Sequence, residues 1–143
     1  MVDIYHDIEV RSNNLSIYKA LTSPDGLNNW WTLRSSGRAQ LHSEYNFYFH
    51  DDYNWYAKVI GIKDTESVTF EMTHATEDWI GTILHFQIIE LTLEKCLLRF
   101  EHRGWAAPTA HFRRTSYCWA IYLRCLKNYL EYGKVIAYED RSL

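Results

Sequence analysis

An α+β fold, a curved antiparallel sheet closed by one long C-terminal helix, follows from three features of this sequence. Period-two alternation runs almost unbroken from Gly37 to His102. One long apolar stripe with helical spacing follows it, in HFRRTSYCWAIYLRCLKNYLEYGK. A single alternating strand and two short helical stretches precede it. With 143 residues, two prolines and no low-complexity linker, the chain is expected to form one domain, 1–143.

In the first segment Val2, Ile4, His6, Ile8 and Val10 share one parity and Asp3, Tyr5, Asp7 and Glu9 the other, a strand with one wet face. SNNLSIYKALT then reads as a helix capped by Asn13 or Asn14, with Leu15, Tyr18 and Leu21 on one stripe and Ile17 beside it. Ser23-Pro24 restarts a helix over 24–31, Ser as N-cap and Pro at the first helical position. On it Leu27, Trp30 and Trp31 stand at i, i+3 and i+4, so both tryptophans can share a face.

Strands are expected at Tyr45–His50, Asn54–Ile62, Ser67–His74, Trp79–Ile89 and Lys95–His102, with a weaker one at Arg38–His42. Short polar separators between them suit antiparallel hairpins. The apolar parities are Phe47/Phe49, Val68/Phe70/Met72, Leu84/Phe86/Ile88 and Leu98/Phe100. In the last helix Trp119, Tyr122, Leu123, Leu126, Tyr129 and Leu130 recur at i, i+3, i+4, i+7, i+10 and i+11. Cys118, Ile121 and Cys125 widen that stripe, and Gly133 stops the helix. So apolar a helix has to lie on the dry face of the sheet.

Composition excludes several functions. The net charge is −3 and no basic cluster exceeds Arg113-Arg114, which argues against nucleic-acid binding through phosphates. No apolar run approaches the roughly 18 residues of a membrane span. Three cysteines without CxxC spacing and no visible signal peptide point to free thiols in the cytoplasm. The seven histidines lack HxxxH or HxH spacing, so no metal is expected. No G-x-S-x-G elbow or Gly-rich phosphate loop occurs, and no catalytic constellation or cofactor is expected. His50-Asp51-Asp52 reads as a solvated hairpin tip. His102 falls on the dry parity with Leu98 and Phe100, either as a hydrogen-bonded core histidine or as a polar anchor in a cavity. His74, in parity with Phe70 and Met72, has a weaker version of the same case.

The order strand, two short helices, antiparallel meander, long helix is the helix-grip arrangement. Three stretches carry a resemblance: IEVRSNNLSIYKALTSPDGLNNWW, RFEHRGW and CWAIYLRCLKNYLEYG. Together they resemble the START-like (SRPBCC) superfamily, and within it small bacterial proteins related to the C-terminal domain of the activator of Hsp90 ATPase. The chain departs from that pattern at Cys118, where a glycine is usual, and at SEYNFYF, where the entry to the third strand is usually glycine-rich.

The resemblance implies a hydrophobic small-molecule partner, a lipid or an aromatic compound, bound between sheet and long helix. Its lining would come from Trp30, Phe47, Phe49, Trp55, Phe70, Met72, Phe86, His102, Trp119, Tyr122, Leu123 and Leu126. Aromatic residues at 16% of the chain fit such a cavity, or fill it. Trp30 is expected in the core and Trp31 at the lip, partly exposed. The alternatives are a cyclase- or hydrolase-like enzyme using His102, His74 or Tyr122, and a co-chaperone-like protein-binding module.

Overall fold

The computed structural model describes residues 1–142. Seven strands form one antiparallel sheet: β1 (Val2–Val10), β2 (Arg34–Ser36), β3 (Glu44–His50), β4 (Tyr53–Lys63), β5 (Ser67–His74), β6 (Ile83–Thr92) and β7 (Lys95–Trp105). Their order across the sheet is β1-β7-β6-β5-β4-β3-β2, so only β1 leaves the meander, to pair with β7. Helices α1 (Asn14–Thr22) and α2 (Pro24–Asn28) follow β1, and α3 (Ala110–Tyr132) follows the sheet. This is the α+β helix-grip fold that the alternation and the long apolar stripe predict.

Local chemistry starts and stops the helices as expected. Asn13 Oδ1 accepts from the Ser16 N–H at 2.8 Å, and Ser23 Oγ accepts from the Gly26 N–H at 3.0 Å. Gly26 also permits close approach of α2 to α1, since a Cβ there would stand 2.6 Å from the Lys19 carbonyl oxygen. At the other end Gly133 adopts φ 65°, where only glycine is unstrained, and its N–H returns to the Tyr129 carbonyl at 2.9 Å.

The structure departs from the periodicity at several places. α2 ends at Asn28 instead of running to Trp31, because the N–H groups of Trp30, Trp31 and Thr32 all turn back onto the Leu27 carbonyl. Leu15 is 47% exposed; α1 buries Ile17, Tyr18, Ala20 and Leu21 instead, one position round from the expected stripe. Residues 38–42 make a turn, with Gln40 N–H on the Arg38 carbonyl and His42 at φ 70°, and the edge strand is β2. Trp79 belongs to a 3₁₀ turn, Glu77–Trp79, and Gly81 at φ 82° delays the start of β6 to Ile83. His74 is exposed at the end of β5, where a bulge at Thr73 shifts the register against β4.

The inner face of the sheet carries Phe47, Phe70, Phe86, Leu98 and Phe100, all buried against the helices. Phe100 meets the Trp119 ring at 4.4 Å, and Phe86 meets Trp30 edge-on at 6.3 Å. Each such aromatic pair adds about 0.5–1.5 kcal/mol beyond its buried area. The C-terminal end of α3 is tied to the end of β1 by Glu131, whose carboxylate takes the Arg11 N–H at 2.9 Å and is steadied by Lys127 of the same helix at 3.0 Å.

Candidate functional site: an aromatic cleft under the long helix

The inner face is packed through its middle and opens beneath the N-terminal half of α3. A cleft of about 290 Å³ lies between the N-terminal half of α3 and the β3–β4 end of the sheet. Phe49, Tyr53 and Trp55 come from the β3–β4 hairpin, and Trp79 comes from the 3₁₀ turn before β6. α3 contributes His111, Arg114, Thr115, Cys118, Trp119 and Tyr122, and Trp31 and Tyr138 complete the wall. The ring of Trp55 lies 4.5 Å from Trp79 and 5.3 Å from Phe49, and Trp31 lies 5.4 Å from Phe49 and 5.0 Å from Trp119. The result is a nearly continuous aromatic wall.

Of the residues expected to line a cavity, Phe49, Trp55, Trp119 and Tyr122 stand at this wall. Trp30, Phe47, Phe70, Met72, Phe86, Leu123 and Leu126 are buried in the packed layer beside it. Trp30 is held there by its own indole N–H, which donates to the Ala20 carbonyl at 2.9 Å. Trp31 takes its place at the wall but is only 3% exposed, so the lip position survives and the partial exposure does not.

His102 is fully buried and not part of the wall. Trp119 Nε1 can only donate, and it lies 3.1 Å from His102 Nδ1, so Nδ1 is the bare nitrogen and Nε2 carries the proton. Nε2–H then donates to Thr82 Oγ1 at 2.8 Å, and the Thr82 hydroxyl donates to the Trp79 carbonyl at 2.6 Å. Burial, with a smaller contribution from nearby His111, pulls the His102 pKa down to about 3. The imidazole is therefore neutral and fixed in one tautomer, and it fastens two wall residues, Trp79 and Trp119.

The polar groups at the wall are others. His111 Nδ1 reaches both oxygens of Asp78, at 2.8 and 2.7 Å, and its ring lies nearly parallel to Trp79 with centroids 6.5 Å apart. Burial raises the pKa of the Cys118 thiol, which Arg114 partly opposes, so the thiol stays protonated and unreactive at neutral pH. Burial likewise raises the Tyr122 phenol to about 12. The Tyr138 side of the wall is held by Arg141, a buried guanidinium that donates to the carbonyls of Asn28 (2.7 Å), Ile136 (2.9 Å) and Thr32 (3.2 Å). Among the described residues no group of three or more His, Cys, Asp or Glu stands ready to hold a metal, and no helix is long and apolar enough to cross a membrane.

Tyr53, Trp79, His111, Arg114, Thr115 and Tyr138 are wall residues that the sequence did not mark as lining a cavity. A signal was present: His111, Thr115, Cys118 and Tyr122 stand at i, i+4, i+7 and i+11, a mixed polar stripe beside the apolar one. Tyr138 had no such signal, because its position depends on a tail without periodicity.

A curved sheet gripping one long helix, with a cleft between them, defines a START-like domain. The chain belongs to the family described as Activator of Hsp90 ATPase homolog 1-like protein, whose model matches residues 14–131. Its fold is similar to that of the Aha1 dimer from Colwellia psychrerythraea, at 33% identity and a TM-score of 0.84 over 94% of this chain and 99% of that one. A Staphylococcus saprophyticus protein shares 18% identity with a TM-score of 0.79, covering 94% of this chain and 96% of that one. DynU16, a protein of the dynemicin biosynthetic locus, shares 15% identity with a TM-score of 0.77, covering 93% of this chain and 48% of that one. Among curated proteins none matches.

Proposed function

We propose that this protein binds a small hydrophobic molecule in the aromatic cleft under α3. One observation carries the reading: beside the packed aromatic core lies an opening of about 290 Å³ where tryptophans from four segments converge. Ligand sites typically begin at roughly 300 Å³, so the cleft suits a compact aromatic compound better than a long lipid. Membership in a family whose fold can carry ligands supports it, as does the likeness to a protein of a biosynthetic locus. A cytoplasmic setting goes with the proposal.

Native mass spectrometry tests it, after titration with 2-naphthol and, separately, with oleate. A one-to-one naphthol adduct is expected, and Cys118→Phe, which fills the cleft, should abolish it. No adduct, or an adduct that survives Cys118→Phe, overturns the reading.

A second reading, catalysis in the same cleft, is favoured by the His111–Asp78 pair. A carboxylate that fixes Nδ1 leaves Nε2 available as a general base. Hydrolysis of 2-naphthyl acetate above the buffer rate, lost in His111→Gln, is its expected signature; a rate equal to buffer removes it.

A further inference from the structure

The cleft wall is aromatic, yet its rim holds a charge with nothing to answer it. Arg114 is exposed at the wall, and among the described residues no carboxylate stands within ion-pair distance of it. Asp78 lies on the 3₁₀ turn beside the wall residue Trp79. Both its oxygens accept from His111 Nδ1, so it is already engaged. Arg114 lines the cleft together with Cys118, one turn further along α3, so its charge is available at the cleft mouth.

A second unanswered group lies on the same wall. The Trp79 indole N–H is buried, the residue being 5% exposed, and it has no acceptor among the described residues. An unpaired cation at the rim calls for an anionic partner, and the surrounding rings call for a flat apolar body.

Building on the proposed binding function, we infer that the cleft selects a planar aromatic anion, its rings against Trp31, Trp55 and Trp79 and its acid group on Arg114. The exposed position of Arg114 matters to the energetics. In open water such an ion pair is worth little, but a ligand ring seated beside it displaces solvent and strengthens the contact. The small cleft volume limits the body to one or two fused rings.

The test compares 2-naphthoate with 2-naphthamide, which has the same rings and nearly the same shape but no charge. Affinities are measured by calorimetry on the wild type, Arg114→Gln and Trp55→Ala. The wild type should prefer naphthoate by about tenfold, the contribution of a charge-assisted hydrogen bond. Arg114→Gln should erase that preference by weakening naphthoate about tenfold more than naphthamide, and Trp55→Ala should weaken both compounds. Equal affinities in the wild type, or a preference that survives Arg114→Gln, overturn the charge selection and leave the binding reading standing. Binding of neither compound overturns both. Naphthoate binding that ignores Trp55→Ala marks a surface anion contact only and overturns the inference.

Discussion

Trp119 and His102 face each other across 3.1 Å inside the core, and the indole N–H settles which imidazole nitrogen carries the proton. This contact links the middle of α3 to the end of β7 and, through Thr82, to the turn that carries Trp79. The neutral form of the ring is thus built into the packing between helix and sheet.

The first prediction concerns acid. The folded-state pKa of His102, about 3, lies below its unfolded value of 6.5. The associated stability is therefore fully present above pH 6.5 and is lost as pH falls from there toward 3. The slope is about 1.4 kcal/mol per pH unit. Urea unfolding at pH 7 and pH 5 should show it, and His102→Gln, which keeps a donor and an acceptor without titrating in this range, should show a flatter dependence. Parallel slopes in the two proteins refute the assignment.

Thr82→Val tests the hydroxyl. The change conserves shape but strands the His102 Nε2–H in a dry interior, while the Trp79 carbonyl loses the hydroxyl and keeps the backbone N–H of residue 82 at 3.0 Å. A loss of about 1–3 kcal/mol is expected, with Thr82→Ser recovering most of it. A neutral result in urea unfolding would mean that neither bond matters to stability.

Arg141→Ala should loosen the tail. Three main-chain carbonyls lose their common donor, at a cost of about 1–3 kcal/mol. Limited trypsin digestion should then cleave after the exposed Lys134 faster than in the wild type, read by mass spectrometry of the truncated product. Unchanged cleavage would show that the tail is held by other contacts.

Cys118 reports on occupancy. Its raised pKa means slower alkylation by iodoacetamide at pH 8 than a free thiol shows. A ligand in the cleft should slow it further, while the buried Cys96 and Cys125 stay unmodified throughout. Equal alkylation of Cys118 with and without 2-naphthol would place that ligand elsewhere.

The fold was legible because its signals are local and repeated. Alternation in Val68, Phe70 and Met72 needs nothing distant to be read, nor does the stripe from Trp119 to Leu130. The errors lie where a tertiary bond outweighs a pattern: Trp79 continues an alternation yet is turned by Gly81, and α2 stops when three amides share the Leu27 carbonyl. The site was less legible, because parity tells which face a residue occupies and not whether the space opposite is filled. Phe47 and Phe49 have the same parity, but only Phe49 reaches the cleft. His102 satisfied the pattern of a cavity anchor and proved instead to be a brace behind the wall.

Residues 31, 55, 79, 122 and 138 reach the cleft from five stretches of the chain. No short fragment of the chain carries all five, so that surface exists only in the folded protein. A compound seated there has affinity for the native chain alone and stabilises it by mass action. Protection by such a compound would extend to the whole fold, from the β3–β4 hairpin to Arg141, and not just to the side chains it touches.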